Sequence, residues 1–286
     1  MTDRNVSADL RVFSFGGGVQ STAVLCLAAQ NKAQYDHFVF AHVGTDSENP
    51  DTLDYIERYA KPFCEAHGLS FVTVQKTVRG IKDPVTLVGE LRRAKKSVII
   101  PVRMAGSGAL GNRNCTTDFK IRVIDKFIKS TKTERAIVGL GISLDEFDRA
   151  RDTNWHDVES VTAKTPRKLG FWKRREYPLL DLRLNRASCL ALITSMGLPV
   201  PPKSSCFFCP FHDKTTWIEL KRKRPDLFAQ AVEIEKVCNS KRVDIGRDGV
   251  FLHPSLRPLT EAVGDQLPLW PDENEENCAD AGYCMV

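Results

Sequence analysis

Two cysteines in the C-terminal third of the chain have the spacing of a metal-binding pair. Cys206 and Cys209 lie in KSSCFFCPFH, a C-x-x-C arrangement with a proline directly after the second cysteine. Two thiolates at this spacing can bind one metal centre, and a proline after the last cysteine is common in cluster-binding loops. A redox role would require a thioredoxin-like strand-to-helix setting, which is not evident here. Because the pair cannot fill four coordination positions, we expect further ligands from elsewhere in the chain.

Two further cysteines are the best candidates for these ligands. Cys115 lies in GNRNCTTDFKIRVIDKF and Cys189 in NRASCLALI, and for Cys189 a packing role is an equal alternative. Four thiolates fit Zn²⁺ and an iron–sulfur cluster about equally well on ligand type alone. The cations Arg113, Lys120 and Arg122 surround Cys115, so we expect them to lower the pKa of its thiol and to suit an anionic ligand.

A glycine cluster near the start of the chain is typical of a phosphate-binding turn. In VFSFGGGVQSTAVLCL, a strand-like segment leads through three glycines into helix formers, which predicts a strand-to-helix turn over Ser14 to Ser21. Backbone amides at a helix N-terminus favour an anion, and glycine allows phosphate to approach the backbone closely. A turn that only reverses the chain is the alternative. This turn matches neither a Walker motif nor G-x-G-x-x-G, because Gln20 and Ser21 follow the glycine run.

Acidic side chains follow two of the predicted strands. Asp46 and Glu48 lie in GTDSE, whereas GISLDEFDR contains Asp145, Glu146 and Arg149. Paired carboxylates could hold Mg²⁺ on a nucleotide, and Arg149 could neutralise phosphate. Helix capping and surface ion pairing are the alternative for both segments.

The elements that must position these residues alternate along the chain. The predicted strands are Leu10–Ser14, His37–Val43, Ser70–Val74 and Ala136–Leu140. The predicted helices are Thr22–Gln30, Pro50–Ala66 and Phe119–Lys129. This alternation predicts an α/β fold, a Rossmann-like parallel sheet with helices on both faces. The glycine turn and the GTDSE segment would then lie at the carboxyl edge of the sheet, where ligands of such sheets bind.

Composition and a helix-breaking stretch predict the domain organisation. The chain has 286 residues, of which 42% are hydrophobic, enough for one large domain with a smaller unit attached. The stiff stretch from Gly197 to Pro202 marks the junction between a domain over 1–198 and a cysteine-containing unit over 199–267. An acidic tail over 268–286, expected to be mobile, contains Cys278 and Cys284.

Segment hydropathy and the cysteines indicate the cellular setting. No apolar stretch approaches the ~20 residues that span a bilayer, and the polar start MTDRNVSADL lacks the hydrophobic region of a secretory signal. We therefore expect a soluble, cytoplasmic protein without membrane association. Its nine cysteines are then expected to be thiols, metal ligands or catalytic groups rather than disulfides.

Basic residues are clustered, although the formal net charge is only +5. The runs are Arg92–Lys96, Arg167–Arg175 and Lys221–Arg224. Solvated faces are the simplest explanation for such runs. The second run also contains Phe171 and Trp172, and basic residues interleaved with aromatic ones can contact a nucleic-acid backbone and unstacked bases.

Several of these segments together resemble one family. SFGGGVQST, RNCTTDFKIRVI, GISLDEFDR, YPLLDLRLNRASC and PPKSSCFFCPFHDKTTW are similar, in order and spacing, to the PAPS reductase-like proteins of the PP-loop (adenine nucleotide alpha-hydrolase) superfamily, including those of bacteriophages and mobile elements. The resemblance covers most of Val12 to Leu259 and implies the corresponding HUP-type fold. It departs at Gln20, where the family's loop usually has an aspartate.

The resemblance also implies a nucleotide site and a metal centre. The nucleotide, ATP or PAPS with Mg²⁺, would be held by Ser14, Gly16, Gly17, Gly18, Gln20, Ser21, Thr22 and Asp46. A [4Fe–4S] cluster would be held by Cys115, Cys189, Cys206 and Cys209. Cluster-type reductases usually have adjacent cysteines at the first position, but only Cys115 is present here, beside Asn114. Either Cys189 supplies the fourth bond or one iron stays open, which would allow sulfide binding as in cluster-dependent thiolases.

The resemblance implies an enzyme of sulfur transfer or nucleotide-activated modification. Its expected target is a nucleic acid, and a sulfur donor or a partner subunit is implied as well. Asp145 and Arg149 would act at the nucleotide, and Cys278 or Cys284 could be a nucleophile or persulfide carrier on the tail, although the E-C-G-x-H tail of the reductases is absent. We also expect a homodimer. Adenylyl-sulfate or phosphoadenylyl-sulfate reduction is one alternative, and a zinc-stapled, non-catalytic binder of nucleotide or nucleic acid is another.

Overall fold

The computed structural model describes residues 9–93, 97–160 and 167–264. They separate into two compact units, each built from several segments of the chain. The first unit comprises the described parts of 1–41, 51–74 and 121–203, and the second those of 42–50, 75–120 and 204–286. The cysteine-containing unit therefore takes in the middle of the chain as well as the segment after residue 203, whereas sequence punctuation marked only the C-terminal junction.

The first unit contains a mixed, mostly parallel sheet of six strands within the described residues. The strands are β1 (Leu10–Phe15), β2 (His37–His42), β3 (Phe71–Gln75), β5 (Arg135–Leu140), β6 (His156–Ser160) and β7 (Arg167–Glu176), in the order β3-β2-β1-β5-β7-β6. β1 pairs in parallel with β2 and β5, and β5 pairs in parallel with β7, whereas β6 is antiparallel to β7. The predicted α/β Rossmann-like fold is confirmed.

Helices cover both faces of this sheet. The helices of the first unit are α1 (Val19–Ala29), α2 (Pro50–Tyr55), α3 (Lys61–Ala66), α6 (Arg122–Ser130), α7 (Pro178–Asp181) and α8 (Arg186–Ser195). Phe13 packs with residues of α1 and α8 in one core cluster. Lys173 points to the opposite face, because side chains alternate along a strand, and it forms a buried ion pair with Asp125 of α6.

The second unit has a core of its own. Its elements are α4 (Leu87–Arg92), β4 (Arg103–Met104), α5 (Asn114–Thr116), α9 (Lys214–Lys223), α10 (Pro225–Val243), β8 (Val250–Phe251) and α11 (Leu259–Ala262). β4 and β8 form a short antiparallel pair. Trp217, Phe119 and Phe208 are fully buried in this core.

The strands and helices that the sequence predicted are confirmed to within a few residues. A turn of π-helix, Ile56–Ala60, joins α2 to α3, and another, Thr117–Ile121, precedes α6. The sequence did not predict β7, which lies between β5 and the edge strand β6. The basic side chains of β7 conceal the alternation of polar and apolar residues that is typical of a strand. In the described residues, no helix has the length and apolar character needed to cross a membrane.

Candidate functional site

The glycine turn is shorter and tighter than the sequence predicted. β1 continues through Ser14 and Phe15, and α1 begins at Val19, so the turn consists of the three glycines alone. Gly17 has a φ of +78°, which residues with a side chain rarely adopt, and Gly18 is the N-cap of α1. The prediction that Ser14 belongs to the turn is wrong, because its backbone pairs with β2 and β5.

Ser21 stabilises this turn from within. Its hydroxyl accepts a hydrogen bond from the Gly18 backbone N–H at 3.1 Å and donates one to the Gly18 carbonyl at 2.9 Å. The residue is 1% exposed, and Thr22 beside it is fully buried. Ser21 therefore fixes the direction of the first amides of α1, at the positive end of an 11-residue helix.

The segment that follows β5 passes directly against the first turn of α1. A Cβ atom on Gly141 would lie 3.2 Å from the backbone nitrogen of Ser21 and 3.3 Å from the carbonyl carbon of Gln20. Both neighbours are backbone atoms, which cannot move aside as a flexible side chain would. Sequence reasoning missed Gly141, for which the only signal was a glycine at the end of an apolar strand.

A buried ion pair follows the same strand. The Arg149 guanidinium and the Glu146 carboxylate lie 2.7 Å apart, and both side chains are more than nine-tenths buried. Within the described residues, Nε and Nη2 of Arg149 have no hydrogen-bond partner. Arg149 therefore keeps donors available for an anionic group.

Asp145 and Asp46, two further acidic residues of the predicted site, take part in local hydrogen bonds. Asp145 is exposed, and its carboxylate accepts a hydrogen bond from the backbone N–H of Arg186, the first residue of α8. In the second unit, Asp46 accepts hydrogen bonds from the hydroxyls of Ser47 at 2.8 Å and Thr86 at 2.9 Å. These contacts match the capping alternative, while Mg²⁺ binding by either residue stays a prediction.

Three of the four predicted metal ligands line one small cavity in the second unit. Cys115 comes from α5, whereas Cys206 and Cys209 come from the loop before α9. The cations Arg113 and Lys120 line the same cavity. Within the described residues, no three His, Cys, Asp or Glu side chains lie close enough together to hold one metal ion, so metal binding would require these thiols to approach each other.

The loop that carries the cysteine pair is held by buried polar contacts. The Ser205 hydroxyl lies 2.9 Å from Nε2 of His212, and both residues are buried. The His212 ring packs edge-on against Trp217, with 4.9 Å between ring centroids. The backbone N–H groups of Cys209 and His212 donate to the carbonyls of Cys206 and Cys209, which closes two successive turns.

The expected low pKa of Cys115 is wrong. Burial raises the pKa of its thiol above the ordinary value, and the opposing effect of Arg113 and Lys120 is smaller. The two cations act in the direction predicted from the sequence, but desolvation of a thiolate cannot be seen in sequence spacing.

Cys189 is not part of this cavity. It is fully buried in the core of the first unit, in the same cluster as Cys26. Burial raises the pKa of its thiol to about 12, and the negative charge of Asp145 acts in the same direction. These surroundings favour the packing alternative for Cys189.

The basic run Arg167–Arg175 forms β7 rather than a separate basic surface. Phe171 and Lys173 are buried, whereas Trp172 is half exposed. Arg174 lies over the ring of Trp155, with 5.4 Å to its centroid. Part of the basic and aromatic character of this run is therefore used in packing the sheet. Cys278 and Cys284 lie outside the described residues.

Comparison with known proteins gives distant structural likenesses. No protein-family model and no curated protein matches the chain. Among solved structures, the chain is similar to the U34-tRNA thiolase of Methanococcus maripaludis with its [4Fe–4S] cluster, at 16% identity and a TM-score of 0.38, over 82% of this chain and 74% of the thiolase. It is also similar to the NH₃-dependent NAD synthetase of Campylobacter jejuni in complex with nitrate, at 11% identity and a TM-score of 0.36, over 83% of this chain and 89% of the synthetase.

Proposed function

We propose that this protein is an enzyme of the PP-loop superfamily that binds an adenine nucleotide and a [4Fe–4S] cluster and acts in sulfur transfer or nucleotide-activated modification. The observation that carries the proposal is the cavity lined by Cys115, Cys206 and Cys209 together with two cations. Three thiols in a basic setting are the donor set of a negatively charged thiolate-bound cluster. The glycine turn before α1 is the second observation that supports the proposal, because it supports nucleotide binding.

The glycine turn would bind the nucleotide phosphates. The first amides of α1 are oriented by Ser21, and Gly16 to Gly18 place no Cβ in the way of a phosphate. In activation by ATP, an acceptor oxygen attacks the α-phosphate and pyrophosphate leaves, and these amides would stabilise the charge on the leaving group. Arg149 would contribute its unused donors to the same anion.

The cysteine cavity would hold the cluster through Cys115, Cys206 and Cys209. A cluster held by these three cysteines would supply an iron site that can bind sulfide. Arg113 and Lys120 would offset the negative charge of the thiolates. The Ser205–His212 contact would keep Cys206 and Cys209 in one loop conformation during loading.

A nucleic-acid acceptor, a sulfur donor and a homodimer complete the proposal. The half-exposed Trp172 and the basic residues of β7 support a nucleic-acid acceptor. The reductase and zinc-binder alternatives differ from the proposal in what they consume and bind. A reductase consumes a sulfonucleotide without releasing pyrophosphate, and a zinc-stapled binder contains zinc and turns over no ATP.

Nucleotide titration under anaerobic conditions tests the proposed function. The purified protein is titrated with ATP and with PAPS, and pyrophosphate release is measured in the presence of RNA, DNA and sulfide. The proposal predicts ATP binding and pyrophosphate release that depends on a nucleic acid. Sulfite release from PAPS would instead support the reductase, and binding without turnover of either nucleotide would support the zinc-stapled binder.

A further inference from the structure

Glu48 is a buried carboxylate next to the cysteine loop of the second unit. Glu48 is 3% exposed. Its backbone forms an isolated antiparallel bridge with Cys206. Residues directly opposite each other in an antiparallel pair point to the same face, with Cβ atoms about 4.5–5.5 Å apart. The Glu48 carboxylate and the Cys206 thiol therefore lie on the same side of this bridge.

One of the two carboxylate oxygens of Glu48, the buried Oε1, has no hydrogen-bond partner among the described residues around it. The loop from Gly44 is instead held by Asp46, which binds Ser47 and Thr86, and by the Glu48 backbone N–H, which donates to the Gly44 carbonyl at 2.9 Å. A buried carboxylate oxygen without a partner is costly, so its retention calls for a compensating ligand.

We propose that Glu48 supplies the fourth, oxygen ligand of the metal centre held by Cys115, Cys206 and Cys209. This inference rests on the proposed function, because it requires a metal centre in the cysteine cavity. Three thiolates leave one position of a four-position set, and the backbone bridge places Glu48 opposite Cys206, one of the three cysteines. Arg113 and Lys120, which line the cavity, compensate the added negative charge.

An oxygen ligand gives the fourth position different chemistry from the other three. A carboxylate is a harder ligand than a thiolate and binds iron in a thiolate-rich centre less tightly. The fourth iron would therefore be protected while the protein is idle, and it would exchange its ligand when a sulfur species arrives. All four proposed ligands then belong to the second unit, and neither Cys189 nor the tail cysteines are required to complete the centre.

The test compares the wild-type protein with Glu48→Gln after anaerobic loading with iron and sulfide. Mössbauer spectroscopy reports whether about one quarter of the iron has a non-sulfur ligand, and EPR after mild oxidation reports loss of one iron. Glu90→Gln is the control, because Glu90 is a buried carboxylate of the same unit that pairs with Arg93 at 3.1 Å.

We expect the wild type and Glu90→Gln to show the distinct iron component, and Glu48→Gln to lack it. Glu48→Gln should still load a cluster through the three cysteines but lose one iron at least about tenfold faster. If Glu48→Gln does not fold, Glu48→Asp is measured instead, and its retracted carboxylate should give the same faster iron loss.

Two results would overturn the inference, and they are distinguishable. A wild-type cluster whose Mössbauer and EPR properties are unchanged by Glu48→Gln would remove Glu48 from the centre and leave the proposed function intact. A wild-type protein that takes up no cluster would overturn the proposed function and the role of Glu48 together.

Discussion

Gly141 and Ser21 are in such close contact that a Cβ atom on Gly141 would lie 3.2 Å from the backbone nitrogen of Ser21. The loop after β5 thus supports the first turn of α1, whose amides form the proposed phosphate site. The position of the phosphate site is therefore determined jointly by the glycine turn and by a second, unrelated segment of the sequence.

Gly141→Ala should displace the first turn of α1. Overpacking against backbone atoms costs about 1–3 kcal/mol, and the shift of the Ser21 and Gln20 backbone should weaken ATP binding about tenfold. Chemical unfolding and calorimetric titration measure the two effects. Gly264→Ala is the control, because a Cβ at Gly264 would contact nothing within 4 Å. Equal ATP affinity in both variants would contradict the proposed support of α1 by Gly141.

Arg149→Lys should reduce nucleotide affinity while preserving the buried charge pair with Glu146. The lysine keeps one positive charge but lacks the Nε and Nη2 donors that have no partner in the described residues. We expect ATP affinity to fall about tenfold, because one charge-assisted hydrogen bond to the phosphate is lost. Arg58→Lys, on the exposed surface of the same unit, should leave ATP affinity unchanged. An unaltered affinity for Arg149→Lys would exclude a phosphate contact.

The sequence predicted β1, β2, β3 and β5 and the helices between them because short apolar runs of strand length alternate with helix-forming segments. It did not predict β7, because a lysine in a sequence indicates an exposed position. Lys173 is nevertheless buried, since its charge is paired with Asp125 of α6. Among the candidate site residues, the C-x-x-C pair and Cys115 were selected from residue type, and they line one cavity. The burial of Cys189, the raised pKa of Cys115 and the bridge from Glu48 to Cys206 depend on tertiary contacts that no spacing encodes.

The stability of the second unit should fall in mild acid because of His253. This residue is 2% exposed, and burial lowers the pKa of its imidazole from 6.5 to about 4, with the charges of Lys214 and Arg103 acting in the same direction. The unfolded chain therefore binds a proton that the folded chain rejects. The contribution is complete above pH 6.5 and decreases as the pH falls towards 4, by up to about 1.4 kcal/mol per pH unit.

Denaturant unfolding of the wild type and His253→Asn between pH 7 and pH 4.5 measures this contribution. Asparagine can still accept the hydrogen bond that the Ser255 backbone N–H donates to Nδ1 of His253 at 3.1 Å. The free energy of unfolding should decrease more steeply with falling pH in the wild type than in the variant. Parallel pH profiles would show that folding does not lower the pKa of His253.

Replacing both Cys278 and Cys284 by serine tests the proposed role of the tail. If either thiol attacks the bound substrate or carries a persulfide, the double variant should lose at least about a thousandfold in turnover while nucleotide affinity is retained. Cys238→Ser, at a fully buried thiol in the core of the second unit, serves as a control for general thiol effects. Full turnover in the double variant would exclude the tail cysteines from the reaction.

The central claim is that Cys115, Cys206 and Cys209 hold an iron–sulfur cluster, and anaerobic purification with iron, sulfide and zinc analysis tests it most directly. We expect about four irons and four sulfides per chain with broad visible absorption in the wild type and in Cys189→Ala, and loss of the cluster and its absorption in Cys206→Ser. A colourless wild type with one zinc, or a cluster lost equally in Cys189→Ala and Cys206→Ser, would contradict it.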